Sequence, residues 1–338
     1  MASENGSGVR RVVSYGKSFA DRLDELAQRL GDGFEIVRVP TDATPQAMEE
    51  GFAGALAVIA VGTSEGLPLP DGLKLLHLPG IGWDGVSPSH VPASAEIANV
   101  GGHEAAVAEY CLAQMLEWCH RLRAADTEFR AGSWMRSSRF GGQPHRELRG
   151  ATVGIVGYGN IGRDLARMLR ALGVRVLAAN RSASAFDDLV DARFGLDEIP
   201  QMLAQCDFAV IAVALTPETR GLIGAEALQA LGAEGVLVNV ARGPVVDEDA
   251  LFEALSDGTL GGAVIDVWYR YPDRVDDPDP KPSRHDFAAL SNVVMTPHIS
   301  GWTEGTAARR VAAIAENIER AARGEALRNV VARGTRPA

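Results

Sequence analysis

Three polar residues, Arg242, Asp266 and His298, each stand at the end of an apolar, strand-like run in the second half of the sequence. A guanidinium binds a carboxylate as a bidentate fork, and a histidine near its ordinary pKa gives and accepts protons at neutral pH. In a doubly wound sheet all carboxyl strand ends face one crevice, so these side chains are expected on the same side. Taken alone, His298 would be interpreted as a structural histidine. Its position after the last predicted strand favours a functional one.

A glycine turn precedes these strand ends in the stretch from Ala151 to Ser182. A short apolar run is followed by Gly157, Gly159 and Gly162, then by a segment with helical apolar spacing and a second apolar run. The first glycine permits a tight turn, the second lets a pyrophosphate approach the backbone, and the third lets helix and strand pack closely. Strand, glycine turn, helix and strand in this order predict a dinucleotide-binding unit.

The second strand of this unit ends in Asn180, Arg181 and Ser182. A carboxylate at this strand end would hydrogen-bond the ribose 2′-hydroxyl of NAD, and none is present here. Arginine attracts a 2′-phosphate that a carboxylate would repel. The sequence therefore predicts NADP as the preferred cofactor, with NAD possible, against the alternative that Arg181 is an ordinary solvated side chain.

Alternating strands and helices surround the glycine turn and indicate parallel sheets. The first hundred residues form an α/β domain without a glycine fingerprint, with strands predicted at residues 10–16, 34–39, 55–61 and 73–78. Residues 103–123 predict a long buried helix, apolar nearly all round. Residues 126–150 are polar and irregular, and we interpret them as an arm that packs on a second subunit. A plain surface loop is the alternative.

Composition restricts the class of protein. The chain has 338 residues, 46% hydrophobic and 23% charged, which suits a globular protein of about two domains. No apolar run reaches the length of a membrane span, and the polar N-terminus does not resemble a signal peptide. The net charge of −11 argues against a nucleic-acid partner. Three cysteines without metal-ligand spacing favour reduced thiols in the cytoplasm, and no metal site is predicted.

Five motifs in order, GYGNIG, LTPET, NVARGPVVDEDAL, GGAVIDV and TPHIS, make the chain resemble the D-isomer-specific 2-hydroxyacid dehydrogenase family. The resemblance covers nearly the whole chain. It implies an α/β protein in which residues 1–102 and 300–338 form a flavodoxin-like substrate domain. Residues 103–299 then form a doubly wound, parallel-sheet Rossmann domain that binds NAD(P). A homodimer is expected.

Roles carry over where the motifs match. Arg242 resembles the arginine that binds the substrate carboxylate, His298 the general acid, and Asp266 an aspartate near the nicotinamide. Cofactor contacts are implied at Gly157, Tyr158, Gly159, Asn160, Ile161, Gly162, Asn180, Arg181, Ser182, Leu215, Thr216, Val240, Ala241, Arg242, Asp266, His298 and Gly301. Substrate contacts are implied at Gly80, Ile81, Gly82, His103, Arg242 and Trp302. For Gly80–Gly82 a plain turn is an equal alternative, as is ordinary packing for Trp302.

One departure from the family pattern is Tyr271, which occupies the position where the family usually has a glutamate beside the catalytic histidine. Tyrosine brings a hydrogen bond but no charge at neutral pH, so His298 is expected to lose its proton at lower pH than its counterparts. Three interpretations remain open. Tyr271 orients His298 as a catalytic partner, Asp273 substitutes for the glutamate, or the reaction needs less proton transfer than the reduction of a ketone.

A second departure is His103, where the family commonly has asparagine. It is expected either to recognise an extra acidic group of the substrate or to cap the long helix. The resemblance implies a reductase of small 2-keto acids such as glyoxylate, hydroxypyruvate or a bulkier 2-keto acid, forming D-2-hydroxy acids, and the strand end at Asn180–Ser182 predicts that it prefers NADP(H). The alternatives are oxidation of a formate- or phosphite-type hydride donor, and a non-catalytic NADP-binding sensor that lost the glutamate.

Overall fold

The structure, a computed structural model, describes residues 8–17, 19–182, 186–272 and 281–337. The chain divides into two compact units, one of residues Met1–Gly102 and Glu304–Ala338 and the other of residues His103–Thr303. The division after the second unit falls at 303/304 rather than at the expected 299/300, because the last long helix begins at Glu304.

Helices and strands alternate along most of the chain. In chain order they are β1 (Arg10–Tyr15), α1 (Leu23–Leu30), β2 (Phe34–Val39), α2 (Pro45–Phe52), β3 (Ala55–Ile59), β4 (Leu75–His77), β5 (Glu96–Ala98), α3 (Glu104–His120), α4 (Leu122–Arg130), β6 (Thr152–Val156), α5 (Asn160–Ala171), β7 (Arg175–Ala179), β8 (Ala192–Phe194), α6 (Ile199–Leu203), β9 (Phe208–Ile211), α7 (Ala225–Leu231), β10 (Val236–Asn239), α8 (Glu248–Ser256), β11 (Gly262–Ile265), β12 (Val293–Met295), α9 (Glu304–Arg323) and β13 (Val330–Arg333).

The first unit is built on a sheet whose described strands lie in the order β13-β5-β4-β3-β1-β2. The pairs among β1–β5 are parallel, whereas β13 pairs antiparallel with β5. The order 2-1-3-4-5 is that of flavodoxin-like sheets. Leu26 of α1 and Ile314 of α9 pack with Val12 and Ile59 on one face of this sheet. The short strand β13 carries no alternating pattern and was not expected from the sequence.

A polar network lies inside this core. His77, with no exposed surface, contacts the Leu78 carbonyl through Nδ1 at 3.0 Å and the Asn317 amide nitrogen through Nε2 at 3.1 Å. Asn317 also donates to the Arg328 carbonyl and accepts from the Arg328 amide. Burial lowers the pKa of His77 to about 4, although its hydrogen bond to Leu78 acts in the opposite direction. The neutral imidazole therefore ties β4 to the C-terminal segment.

The second unit is built on a fully parallel sheet, with described strands in the order β12-β11-β10-β9-β6-β7-β8. Counted from β6, this is the doubly wound arrangement of dinucleotide-binding domains, with the order reversing between β6 and β9. Helices α6, α7 and α8 cover one face, and α3 and α5 cover the other. The predicted α/β class and its doubly wound sheet are confirmed.

The predicted helix over residues 103–123 is shorter than expected. It ends at His120, because Arg121 adopts a left-handed conformation with φ 49°, and α4 then runs to Arg130. The segment predicted as irregular over 126–150 therefore begins as a helix. An exposed aromatic cluster joins Phe129, in the last turn of α4, to Trp134 and Phe140, with ring centroids 5.0 and 6.1 Å apart.

Within the described parts of the chain, no helix combines the length and apolar character that a membrane crossing requires. In the same residues, no three His, Cys, Asp or Glu side chains gather as metal ligands would.

Candidate active site

The glycine turn between β6 and α5 is shaped by close backbone approaches. Gly157 has φ 97°, and a Cβ built there would lie 2.6 Å from the Val213 amide nitrogen. A Cβ on Gly162 would lie 2.9 Å from the Gly157 carbonyl oxygen. A Cβ on Gly159, by contrast, would meet nothing within 4 Å. The turn is closed on the protein side and open at Gly159, which leaves room for a phosphate at the helix N-terminus.

The residues of the glycine turn differ in their exposure to solvent. Tyr158 is buried, and its hydroxyl donates to Asp187 at 2.6 Å, so its side chain holds the turn in place. Gly159 and Asn160 are exposed, and Ile161 is half-buried. The exposed backbone from Gly159 onward is therefore the part that a ligand can reach.

The strand end at Asn180 has the predicted polar character. Asn180 donates through its side-chain amide to the Ser182 carbonyl, and both Arg181 and Ser182 are exposed. Glu218 lies within electrostatic range of Arg181. The hydrogen bond from the Thr216 side chain lowers the pKa of Glu218 most, and the charge of Arg181 contributes a smaller lowering. The strand end therefore carries the positive charge of Arg181, with the negative charge of Glu218 within electrostatic range.

Arg242 stands where β10 gives way to a short 3-10 turn. Buried Asn239 accepts from the Ala241 amide and donates to the Arg242 carbonyl, so it fixes the backbone on both sides of the guanidine-bearing residue. A Cβ on Gly243 would lie 2.5 Å from the Trp268 carbonyl oxygen, so only glycine permits this approach. Arg242 itself is half-buried and donates to the Ala241 carbonyl. The predicted backbone contacts Val240 and Ala241 are both 8% exposed.

His298 lies on an exposed loop after β12 and has φ 60°, a left-handed conformation that costs energy for a residue with a side chain. Asp266 holds this loop. Its carboxylate accepts from the Thr296 hydroxyl at 2.6 Å, the Ile299 amide at 2.8 Å and the Ser300 amide at 2.9 Å. Asp266 has no exposed surface. The aspartate therefore positions the backbone that carries His298.

Tyr271 meets His298 directly. Its hydroxyl lies 3.0 Å from Nδ1 of His298, and it accepts from the Trp268 amide at 3.2 Å. A phenolic oxygen has one hydrogen and two lone pairs, so with one lone pair occupied it still serves Nδ1 as donor or acceptor. The arrangement therefore suits both neutral and protonated His298 and leaves Nε2 as the nitrogen not engaged by Tyr271. Asp273, the other expected partner, lies outside the described residues.

A second layer supports the loop from behind. The Tyr110 hydroxyl of α3 lies 2.7 Å from the Thr296 hydroxyl, and the Trp268 indole donates to the Thr296 carbonyl at 2.9 Å. Burial raises the pKa of Tyr110 to about 12; its hydrogen bond with Thr296 acts oppositely, and the charge of Asp266 adds to the rise. Helix α3 is thereby linked to the histidine loop through a hydroxyl pair.

His103 is brought beside the same loop. His103 is 6% exposed, and a Cβ built on Gly301 would lie 3.5 Å from the Cβ of His103. His103 precedes the first residue of α3, but its side chain makes no capping hydrogen bond, so the expected capping role is wrong in that respect. Trp302 is 48% exposed, and its amide donates to the Ile299 carbonyl.

The first unit presents its own candidate loop after β4. Among the described residues, the amide groups of Gly80, Ile81 and Gly82 donate no hydrogen bond, and a Cβ on Gly80 would meet nothing within 4 Å. Asn99 holds the loop by donating to the Ile81 carbonyl at 2.7 Å. Consecutive free amides of this kind form a concave site for an anion such as a carboxylate.

Several supporting residues were not expected from the sequence: Asn239, Thr219, Trp268, Thr296 and Tyr110. The Thr219 hydroxyl accepts a hydrogen bond from the Thr216 amide and donates one to the Ala214 carbonyl. It thereby closes the turn that carries Leu215 and Thr216. A polar residue ending an apolar strand, as Asn239 does, is a usable sequence signal. No sequence signal marks Tyr110 as a supporting residue, because its hydrogen-bond partner Thr296 is distant in sequence.

Comparisons with known proteins cover both units. Residues 112–300 match the family model described as D-isomer specific 2-hydroxyacid dehydrogenase, NAD binding domain. A glycerate dehydrogenase from Methylorubrum extorquens is 31% identical over 313 residues, which cover 89% of this chain and 94% of the relative. A D-3-phosphoglycerate dehydrogenase from Methanocaldococcus jannaschii is 29% identical over 327 residues, or 92% of this chain. The match spans only 58% of that longer relative.

Solved structures show the same fold. An NADPH-dependent glyoxylate/hydroxypyruvate reductase from Sinorhizobium meliloti, in complex with NADP and malonate, is 26% identical to this chain. The superposition has a TM-score of 0.76 and covers 96% of this chain and 97% of that one.

Proposed function

Because the chain belongs to the D-isomer specific 2-hydroxyacid dehydrogenase family, we propose that it reduces a small 2-keto acid to the D-2-hydroxy acid with NADP(H). One observation carries the proposal: His298 is held exposed, in a left-handed conformation, with Tyr271 on Nδ1 and Asp266 fixing its loop. Such strain persists only where the surroundings determine it, and it is typical of functional sites.

The glycine turn fits a dinucleotide. The open side of Gly159 and the N-terminus of α5 would hold the pyrophosphate, and the ends of β9, β10 and β12 would contact the rest. When bound, the reduced nicotinamide supplies the hydride. We propose the substrate domain as the first unit and the cofactor domain as the second.

Arg242 of the second unit and the amides of Gly80–Gly82 of the first unit are each proposed as groups that bind a carboxylate. A guanidinium binds a carboxylate through two parallel hydrogen bonds, and the amides supply donors without a positive charge. The turn fixed by Asn239 holds the Arg242 backbone before substrate arrives. This pre-organisation lowers the cost of orienting the keto group.

His298 is the proposed general acid. Its Nε2 donates a proton to the carbonyl oxygen as the carbonyl is reduced, and Nδ1 stays hydrogen-bonded to Tyr271. Tyr271 accepts from protonated His298 and donates to the neutral ring when Nε2 carries the hydrogen, so it is the proposed partner in place of the family glutamate. Reduction needs the protonated ring, so activity should decline as pH rises.

Preference for NADP over NAD rests on Asn180, Arg181 and Ser182. A neutral strand end followed by an exposed arginine favours a 2′-phosphate. The solved relative named NADPH-dependent supports this choice. Glu218 near Arg181 weakens the preference without replacing it.

The direct test is NADPH consumption with a panel of 2-keto acids. We expect turnover, with Arg242→Ala and His298→Ala each lowering kcat/KM by about a thousandfold. Arg175→Ala, at the amino end of β7 in the same sheet, is the matched control. No turnover with any keto acid, but NADP reduction with formate or phosphite, would favour the hydride-donor alternative. Cofactor binding without any turnover would favour a sensor.

A homodimer is part of the proposal. The aromatic cluster Phe129, Trp134 and Phe140 exposes more apolar surface than a single scattered side chain, and it lies on the segment expected to be a subunit arm. A second copy of this chain is the proposed occupant. Trp134→Lys should convert a dimer to a monomer in sedimentation velocity. A wild-type protein that is a monomer would overturn the proposed homodimer.

Location in the cytoplasm stays a prediction.

A further inference from the structure

Three exposed apolar side chains stand at the carboxyl edge of the first sheet. Val61 follows β3, whereas Ile81 and Trp83 follow β4, and they are 61%, 42% and 44% exposed. Strands β3 and β4 are parallel neighbours, so their following loops share one edge. We call Val61, Ile81 and Trp83 the apolar edge. Ligands of open α/β sheets bind at this edge.

The backbone under the apolar edge is pre-organised. The Thr63 amide donates to the Gly85 carbonyl at 3.0 Å, and the Ser87 amide donates to the Thr63 hydroxyl at 3.0 Å. A Cβ on Gly62 would lie 2.7 Å from the Gly85 carbonyl oxygen, so the two loops touch there. The loops after β3 and β4 therefore form one interlocked surface.

The loops after β3, β4 and β5 lack basic residues of their own. Residues 60–72, 78–95 and 99–102 contain no Lys or Arg, and Glu65 is exposed after β3. Arg309 reaches the chain after β5, where its Nε donates to the Gly102 carbonyl, and Lys17 is exposed after β1, the strand next to β3. A second anionic group on a ligand held by the loop after β4 would thus find no cation within the loops after β3, β4 and β5.

We propose that the apolar edge determines specificity, selecting 2-keto acids with an apolar substituent and rejecting those with a phosphate, sulfonate or second carboxylate. The inference rests on the proposed function, since it assigns the ligand carboxylate to the amides of Gly80–Gly82 beside this edge. Apolar surface removed from water favours an aliphatic or aromatic substituent. The exposed carboxylate of Glu65 and the lack of Lys and Arg in these loops disfavour an additional negative charge.

The first experiment compares kcat/KM for 2-ketoisocaproate, phenylpyruvate, hydroxypyruvate, oxaloacetate and 3-phosphohydroxypyruvate with NADPH. We expect the two apolar acids to exceed hydroxypyruvate by about tenfold and the dianionic acids by about a hundredfold. Equal or better use of hydroxypyruvate or of a dianionic acid would overturn the inference and leave the proposed function standing. No turnover of any acid would overturn the proposed function instead.

Variants locate the effect. Trp83→Ala and Val61→Ala should each lower kcat/KM for phenylpyruvate about tenfold while changing that for glyoxylate less than threefold, because glyoxylate has no substituent to bury. Trp83→Phe should retain most activity with phenylpyruvate. Val9→Ala is the control, since Val9 is 63% exposed but precedes β1, at the opposite end of the strand. A loss that is equal for both substrates would contradict a specificity role.

Discussion

The carboxyl edges of the two sheets are built from different groups. In the second unit, buried polar side chains such as Asn239 and Asp266 hold the loops that carry Arg242 and His298. In the first unit, the loop after β4 offers backbone amides and apolar side chains. Reactive side chains must be held in one geometry, whereas amides and apolar surface only select a ligand. This difference supports the proposal that the edge of the second sheet carries the reactive groups and the edge of the first sheet selects the ligand.

The support of each edge differs as well. The carboxylate of Asp266 accepts from three donors of the histidine loop, so replacing it by a group with fewer acceptors leaves part of that loop unsatisfied. Behind the first edge stands a neutral histidine, His77, whose loss of neutrality would strain the core. Substitution therefore tests the support of the second edge, and pH tests the support of the first.

The largest expected effect concerns His77. Because its pKa in the folded chain is about 4, below the ordinary 6.5, its contribution to stability is complete above pH 6.5 and is lost as pH falls from 6.5 to 4. The loss should reach about 3 kcal/mol, or somewhat over a hundredfold in the folding equilibrium. Calorimetry of the full chain between pH 7.5 and 4.5 measures it. His77→Gln removes the titration, so a parallel pH dependence in both proteins would contradict this assignment.

Asp266→Asn should have the next largest effect. An amide presents one acceptor where three donors converge, so the loop carrying His298 should shift and kcat/KM should fall about a hundredfold. Binding of NADPH, followed by fluorescence, should change less than threefold because the glycine turn is untouched. Asp24→Asn, on the exposed side of α1, is the control. An equal loss of cofactor affinity would mean that Asp266 acts at the cofactor rather than through the loop.

Tyr271 provides a smaller effect with a defined sign. Tyr271→Glu places a carboxylate beside Nδ1, which stabilises the protonated ring, so reduction should persist to a pH at least about one unit higher. Tyr271→Phe should lower kcat/KM about tenfold by releasing the ring. The pH–rate profile of kcat/KM measures both. A profile unchanged in Tyr271→Glu would remove Tyr271 from the proton-transfer network.

The smallest effects are expected at the cofactor end. Arg181→Ala should raise KM for NADPH about tenfold more than KM for NADH, because only NADPH carries the 2′-phosphate. Glu218→Gln should lower KM for NADPH about threefold, since it removes a competing charge near Arg181. Steady-state kinetics with both cofactors tests the pair. Equal changes for NADPH and NADH would exclude both residues from cofactor selection.

Local patterns predicted the glycine turn and the long strands. Gly162 approaches the Gly157 carbonyl five residues before it, so the glycine spacing carries that information, whereas the approach of Gly157 to Val213 depends on the neighbouring strand β9. The strand pair β13–β5 was not predicted, because the two strands are far apart in sequence and each is only three or four residues long.

The sequence predicts the reactive residues of the candidate site, but it does not predict which side chains hold their loops in place. Arg242 and His298 follow apolar strands, which places them at one edge by topology. That Asp266 holds the histidine loop depends on where the Ile299 and Ser300 amides turn, and the left-handed backbone of His298 decides that. Conformations of this kind arise from the tertiary context rather than from the residue itself.

The discontinuity of the first unit has a consequence for biosynthesis. The second unit is one continuous segment, whereas the first needs α9 and β13, which follow it in the chain. On the ribosome, strands β1–β5 emerge early and must wait for β13 and for the Asn317 partner of His77. Domains form as their sequences become complete, so the second unit should fold first during translation. Until then β5 remains an open sheet edge, whose unpaired backbone groups can pair with another chain.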